Sequence, residues 1–544
     1  MQDIIKKHAL LNAVEYGGKA NAQAVMGKVI AEKPELKNDM ATVGRETAKI
    51  VKEINSWPLE KQKKELEKFG KIKKEEKVER EGLPPLPNAE MGKVVTRLPP
   101  EPSKYNHIGH ALSFLINYMY AKMYKGKCIL RFEDTNPEKV RKEYVDAMKE
   151  DVLDYLDIKP DKVVLTSNDM KKMYGYAEKI IKEGKAYVCT CSREKMQAMR
   201  HKGEECECRN RSIEENMKLW KNMLGKKFKE EEAVLRLNID MQALNQVMRD
   251  PVIFRITYAP HFIQKNKYCV WPLYDFQNSV EEELCGITHI LRSAEFGEMR
   301  IELQNYIKDL LGFRKQTVVQ YGRFEVDGAI TQGREIRKLI EEGKIKGWDD
   351  PRLVTLKALR KRGIVKETYY NLAKKLGLNP TSAKIQWHMI AAENRKLIDP
   401  VSPRYFLVGE PIEIKLDKLP MRIVKAPLFP GKRKFRKIPV TKKVFVDKID
   451  LTQYRGKEVR LMHFCNVILD KKAKVTGKAL KDVPKIHWVS SKNFNMKIIM
   501  PDAKEVEGLA EPEVSKVKPN QTVQFERIGF ARCDKKGLFY FAHK

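Results

Sequence analysis

No run of about 18 uninterrupted apolar residues, the length needed to span a membrane as a helix, occurs in this sequence. The opening residues, MQDIIKKHALL, lack the long apolar stretch and small-residue cleavage site of a secretory leader. Neither GxxxxGK(S/T) nor GxGxxG is present, which removes two familiar glycine-rich phosphate cradles. Internal repeats and low-complexity tracts are absent as well, so the chain is not a solenoid or a biased tail. Acidic charge is the scarcer sign: 73 Asp and Glu stand against 106 Lys and Arg, a net charge of +33. That surplus suits a polyanionic partner, because lysine and arginine hold phosphate backbones through counterion release. Nine cysteines, an odd number with four in close pairs, fit metal binding in a reducing cytosol better than a disulfide framework. The expectation is a cytoplasmic protein with no membrane segment, whose 544 residues are too many for one compact core.

Along the chain, residues 1–80 alternate apolar and charged positions at helical spacing with almost no proline, which predicts two to four small helices. Glu81–Pro102 carries six prolines, and its first half reads as a linker. Lys93–Leu98 then reads as a buried strand. From His107 to Tyr124 the apolar positions Leu112, Leu115, Ile116, Met119, Tyr120 and Met123 follow one helix face, with Gly126 as the stop. Cys128–Phe132 is the next strand. Strand, crossover helix and strand within so short a span make a βαβ unit, so a parallel sheet follows. Residues 160–270 are mixed, Tyr274–Leu291 returns to helix then strand, and Arg334–Leu376 is helical and basic. Beyond Pro400 come short β-rich runs such as Lys443–Val446 and Val459–Met462, as in small antiparallel barrels.

The most informative segment is Arg97–His110, RLPPEPSKYNHIGH. Doubly wound sheets bind ligands beyond the carboxyl ends of their strands, where a helix N-terminus meets phosphate. His107 and His110, one turn apart at such a place, can donate to phosphate oxygens, while Gly109 lets a base approach the backbone. HIGH at the first helix of a βαβ unit, together with RLPPEPSKYNHIGHA, LRFEDTNP (130–137), WPLYDF (271–276), GITHILRSAEF (286–296) and GWDDPR (347–352), resembles the glutamyl/glutaminyl subgroup of class I aminoacyl-tRNA synthetases. The resemblance covers roughly residues 93–544. The N-terminal ninety residues and the β-rich tail are similar to its archaeal and eukaryotic branch.

The resemblance implies a multidomain fold. A small helical region and linker occupy 1–90, and an α/β Rossmann-type catalytic domain lies in two halves, 91–165 and 271–325. An acceptor-stem-binding domain is inserted at 166–270, a loop and helical subdomain follows at 326–400, and antiparallel β-barrels that read the anticodon fill 401–544. It implies ATP with Mg²⁺, a tRNA and an amino acid as partners, with ATP held at Pro100, His107, Gly109 and His110. For the amino acid it implies Arg97 and Tyr274 at the side-chain end with Asn278 nearby, Glu133 at the ammonium, and Glu101 close by. Arg292 matches the position where glutamyl enzymes carry arginine and glutaminyl enzymes an uncharged residue. A second arginine able to fork a carboxylate favours glutamate over a neutral amide. Glutaminyl activity is the neighbouring alternative, and charging of tRNA(Gln) besides tRNA(Glu) stays open. The N-terminal helices are a candidate contact for a protein partner.

Cys189-Thr-Cys191 and Cys206-Glu-Cys208, fourteen residues apart, suit a closed tetrahedral structural zinc site. The chain also departs from the family pattern. The second phosphate-binding loop, KMSKS or MSKRK in the subgroup, is here Ala329–Ile336, AITQGREI, with Gly333 or Arg334 where the catalytic lysine is expected. Arg334 is therefore the cation expected to serve, although arginine and lysine are not interchangeable in detail. A paralogue that binds RNA but catalyses weakly is the alternative this loop raises.

Overall fold

A computed structural model of the chain describes residues 1–69 and 82–544, in two units, Met1–Glu81 and Gly82–Lys544. The helical reading of 70–80 and the start of the linker reading at Glu81 lie outside the described residues.

Helices α1 (Gln2–Glu15), α2 (Ala22–Glu32), α3 (Met40–Asn55) and α4 (Leu59–Glu67) make up the described part of the N-terminal unit, with one 3₁₀ turn between α2 and α3. Asn21 and Asp39 start α2 and α3 because their side-chain oxygens accept from the backbone N–H groups of Gln23 (2.9 Å) and Thr42 (3.2 Å). Ile5, Ala9, Leu10 and Ala13 of α1 bury against Val25, Val29, Val43 and Val51. Gln62 of α4 is fully buried, yet its amide donates to the carbonyls of Gly18 (3.0 Å), Ile54 (2.8 Å) and Trp57 (3.1 Å). The two N–H groups of one side chain are thus shared among three carbonyls, of which that of Ile54 also accepts from the Trp57 N–H.

The second unit begins with β1 (Val95–Leu98), α5 (Ile108–Met123), β2 (Lys127–Phe132), α6 (Lys142–Lys149) and β3 (Lys162–Leu165). The three strands pair in parallel, β1 with β2 and β2 with β3. Gly126 has a different role from the helix stop the sequence suggests. A Cβ there would lie 1.9 Å from the Val94 carbonyl oxygen, so only glycine lets the entry to β2 pass the start of β1, and Lys125 takes the left-handed turn instead (φ 50°). An insertion follows, with α7 (Met170–Lys182), β4 (Ala186–Cys189), α8 (Arg193–Lys202), α9 (Ile213–Leu224), β5 (Val234–Leu237), β6 (Val252–Ile256) and β7 (Val270–Pro272). Its four strands form an antiparallel sheet in sequence order.

After the insertion come α10 (Tyr274–Leu284), β8 (His289–Ser293), α11 (Gly297–Leu311) and β9 (Thr317–Tyr321), with β8 and β9 parallel. The start of β8 lies beside β1: the Thr288 N–H donates to the Val95 carbonyl (3.0 Å) and the Val95 N–H to Thr288 Oγ1 (2.8 Å). The strands therefore run β3-β2-β1-β8-β9. The first half of the chain builds outward from β1 in one direction and the second half in the other. That makes the gap between β1 and β8 the topological switch point, where such sheets bind ligands.

The layer is completed by β10 (Phe324–Val326), α12 (Gly333–Glu341), α13 (Leu356–Arg362), α14 (Lys366–Leu376), β11 (Ala383–Ile385) and α15 (Trp387–Ile398). Beyond residue 400 the strands form two seven-stranded sheets and a separate hairpin, Ile423–Pro427 with Phe435–Pro439. Pairing there is mainly antiparallel. Each large sheet also holds two parallel pairings, such as Phe494–Ile499 with Leu538–His543 and Pro411–Leu416 with Lys472–Gly477. Long connections rather than hairpins join those strands, which is what parallel pairing requires. Buried Arg436 ties this region together through Glu511 (3.0 Å) and Glu526 (2.6 Å). Arg362, which the sequence places on a basic helical face, is buried and donates to the carbonyls of Phe541 (3.1 Å) and Ala542 (2.8 Å).

Candidate active site

At the switch point lies a cavity of about 1080 Å³, lined by residues of β1 and β8, the start of α5 and the segment just after β2. Pro100, His107, Gly109 and His110 line it, together with Arg97, Glu133, Tyr274 and Arg292. The β1–α5 connection is held by an antiparallel bridge to residues 354–356. The Ile108 N–H donates to the Val354 carbonyl (3.2 Å), and the Leu356 N–H donates to the Asn106 carbonyl (2.8 Å).

His107 and His110 cap α5 reciprocally. His107 Nδ1 accepts from the Gly109 N–H (3.1 Å), and His110 Nδ1 accepts from the His107 N–H (3.1 Å). Their rings stand 3.9 Å apart. Enclosure in the wall brings His107 down to about 3, with Lys104 and Arg323 adding to the effect, and burial holds His110 well below its ordinary value. Both imidazoles are therefore neutral near pH 7. Since each Nδ1 is an acceptor, the proton of each ring is on Nε2. The pair can present neutral N–H donors but not positive charge. Gly109 is fixed by packing as well: a Cβ there would meet the Phe324 carbonyl oxygen and the His107 ring, each at 2.9 Å.

Around Arg97 and Arg292 charge is buried. Arg97 ends β1 and donates through Nε to Glu282 Oε1 (3.0 Å) and through Nη1 to the Leu291 carbonyl (3.3 Å). Arg131 on β2 donates through Nη2 to Glu133 (3.0 Å), Glu282 (3.1 Å) and Asn278 Oδ1 (2.8 Å). Arg292 ends β8 and donates to Gln304 Oε1 (2.9 Å). Burial opposes ionisation of Glu282, but Arg131 and Arg97 outweigh it and bring that carboxyl down to about 2. Burial raises Glu133, against the pull of Arg131 and Arg97. Burial lowers Lys308 to about 8, with Glu282 offsetting part of the shift. Arg97, Arg131, Arg292 and Lys308 thus share one buried cluster with Glu133, Glu281 and Glu282.

The family model for the catalytic domain of class I tRNA synthetases (E and Q) matches residues 93–400. Two models for the anti-codon binding domain of the same synthetases match 402–485 and 485–534. The chain belongs to this family. The glutamate–tRNA ligases of Pyrococcus abyssi and Pyrococcus furiosus are 42% and 40% identical to it, each over 100% of both chains. That of Methanocaldococcus jannaschii is 38% identical over 98% of both. Among solved structures, a glutamate tRNA ligase from Elizabethkingia meningosepticum covers 57% of this chain and 70% of its own, at 19% identity and a TM-score of 0.42.

For a class I synthetase of this group, not every residue expected at the site is in the cavity wall. Glu101 is an exposed residue at its rim. Asn278 is buried behind the wall, where it accepts from Arg131 and donates to the Tyr274 carbonyl (3.2 Å). Arg334, expected in the catalytic set, is exposed on the first turn of α12 and outside the wall. The loop position that abuts the wall is buried Gly333, packed against Lys104, so Arg334 falls one residue beyond it. Arg131, Glu282, Lys308 and Lys104 were not anticipated. Glu282 was findable, because Tyr274, Asn278 and Glu282 recur at helical spacing on α10.

In the insertion the sulfurs of Cys189, Cys191, Cys206 and Cys208 all lie within 4.8 Å of one another. Cys189 and Cys206 are 3.8 Å apart, and Cys191 and Cys208 3.9 Å. Zinc–sulfur bonds of about 2.3 Å separate the sulfurs of a tetrahedron by about 3.8 Å, so the donor set and its spacing fit that ion. Buried Arg236 lies against Cys189 Sγ (3.9 Å) and Cys206 Sγ (3.8 Å), where it can offset thiolate charge. A second acidic group, Asp447, Asp450 and His487, is already satisfied: Arg527 Nη2 donates to Asp450 (2.8 Å) and His487 bonds Asp447 (2.6 Å).

Proposed function

We propose that the chain uses ATP to attach L-glutamate to the 3′ end of tRNA(Glu), through a glutamyl-adenylate. The observation that carries this reading is the placement of two guanidinium groups, Arg97 and Arg292, in the wall of one cavity, where each can receive a carboxylate. Glutamate, with two carboxylates, supplies an anion to each of them, whereas glutamine, with a neutral side chain, supplies only one. Leaving a buried charge uncompensated costs several kcal/mol, so the charge count discriminates between them.

In this reading Arg97 and Tyr274 hold the side-chain end, Arg292 a carboxylate, and Glu133 the ammonium. Asn278 acts indirectly, by holding Arg131 and the first turn of α10. His107 and His110 donate from Nε2 to phosphate oxygens, with Pro100 and Gly109 shaping the nucleotide's seat. A glutamate α-carboxylate oxygen attacks the α-phosphorus, the bond to the bridging oxygen breaks, and pyrophosphate departs with the electron pair. The 2′-hydroxyl of the terminal adenosine then attacks the adenylate carbonyl, loses its proton, and AMP leaves. Mg²⁺ accompanying the nucleotide would neutralise phosphate charge. Little acid–base chemistry is asked of the side chains; alignment and charge stabilisation supply the rate. Residues 402–534 would read the anticodon by stacking and base-edge contacts. Cys189, Cys191, Cys206 and Cys208 would hold a structural zinc.

The absence of lysine from Ala329–Ile336 favours one other reading, a tRNA-binding paralogue with weak catalysis. Aminoacylation of total tRNA with labelled glutamate and glutamine in parallel separates them. Glutamate incorporation alone supports the main reading, and purified tRNA(Gln) then tests its discrimination. Incorporation of glutamine would overturn the charge argument. No incorporation of either, with tRNA still bound, would favour the paralogue.

A further inference from the structure

We propose that Lys104 contacts the triphosphate of ATP during glutamate activation, supplying the cation that the loop Ala329–Ile336 does not. The inference rests on the reading above. Four observations lead to it. Lys104 lines the cavity three residues before His107, and its field reaches both imidazoles. Those imidazoles are neutral, so the phosphate end of the cavity needs its positive charge from elsewhere.

Second, among the described residues no carboxylate lies within ion-pair distance of the Lys104 ammonium. Its one hydrogen-bond partner is the Thr331 carbonyl at 3.5 Å, long for a charged donor. A half-buried ammonium so weakly held is unfavourable until an anion arrives, and burial lowers its proton affinity accordingly.

Third, the neighbouring cations are committed or exposed. Arg323 pairs with Glu295 (2.8 Å), Arg337 donates to the Ser103 carbonyl (2.9 Å), and Arg334 is exposed outside the wall. Fourth, Lys104 fills the space a side chain on the loop would need. A Cβ at Gly333 would come within 3.0 Å of both Cβ and Cδ of Lys104. A lysine at 104 and a side chain at 333 therefore compete for one place. As the bond to the bridging oxygen breaks, charge builds on the departing pyrophosphate, and a cation fixed there stabilises the transition state more than the ground state.

The test is glutamate-dependent ATP–pyrophosphate exchange with tRNA present, alongside equilibrium binding of ATP and of adenosine by calorimetry. Lys104→Met should lower the exchange kcat on the order of 10²-fold, as loss of one preorganised donor does. It should weaken ATP binding while leaving adenosine binding and glutamate KM unchanged. Exchange within about threefold of wild type, or an equal loss of ATP and adenosine affinity, would overturn the inference. The space argument gives a check that survives a poorly folding single variant. Gly333→Lys should impair the wild-type chain but improve Lys104→Gly by about tenfold or more, a reversal of sign that only neighbours show. The same effect in both backgrounds would count against it. A wild type without glutamate-dependent exchange sinks the functional reading itself, whereas an active wild type with an indifferent Lys104→Met sinks this inference alone.

Discussion

Replacing Glu282 by glutamine tests the buried charge cluster most directly. The carboxylate is fully enclosed and accepts from Arg97 Nε at 3.0 Å and Arg131 Nη2 at 3.1 Å. Those guanidinium groups outweigh burial and hold it at about 2, against an ordinary value of 4.5. With about 1.4 kcal/mol per pKa unit, a shift of that size is worth roughly 3 kcal/mol. Removing one partner of a buried pair independently predicts about 3–5 kcal/mol, so the two routes agree. Because the folded-state value is depressed, this stability is fully present above about pH 4.5 and is lost as pH falls towards 2. A chain of several domains does not unfold in two states, so a local assay is needed. Hydrogen exchange at pH 7, read peptide by peptide, should show Glu282→Gln accelerating β1, β2 and α10 by about 10²-fold, with peptides beyond residue 402 unchanged. Unchanged protection in β1 and β2, or equal loss beyond 402, would refute the assignment of the ion pair as a local keystone.

Three further outcomes follow from other parts of the molecule. The purified chain should carry one zinc per molecule by elemental analysis, and Cys206→Ser should lose it and accelerate exchange in β4 and β5, since structural zinc contributes directly to folding. Gln62→Leu should destabilise the N-terminal helices by about 1–3 kcal/mol, because the carbonyls of Gly18 and Trp57 lose the Gln62 donor; hydrogen exchange in α1–α4 of the full chain is the measurement. Arg292→Gln should lower kcat/KM for glutamate by about 10²-fold, the usual scale for truncating one member of a buried charge pair, without altering ATP binding to the same extent.

Much of this arrangement was legible in the amino-acid sequence. The βαβ unit at 93–132 follows from period and spacing, and the observed β1, α5 and β2 fall within it. Arg97 and Arg292 were singled out 195 residues apart, and β1 and β8 bring both to the cavity wall. The spacing of the four cysteines, together with the family resemblance, points to one site, and β4 and the turn at Cys206–Cys208 gather their sulfurs. Other features were hidden because they depend on which strands become neighbours. Arg131 reads as one charge in an apolar strand until α10 places Glu282 and Asn278 against it. Arg362 reads as one of several basic residues on a helix until the last strand offers it two carbonyls. Gly333 reads in the sequence only as a candidate place of the expected lysine, and that Lys104 packs against it shows only in the fold.

The same distinction explains why the loop 329–336 misleads when taken by itself. Judged by its own residues it has lost a cation and offers Arg334 as the substitute. Judged by the cavity, it has lost a side chain at 333, and the vacated volume is filled from the β1–α5 connection by a lysine. A phosphate site needs positive charge at a point in space and is indifferent to which segment brings it there. Two nearby histidines held neutral by enclosure increase that need, because they can donate hydrogen bonds but add no charge. The weakly held ammonium of Lys104, facing the same cavity, is the group on the wall that meets it.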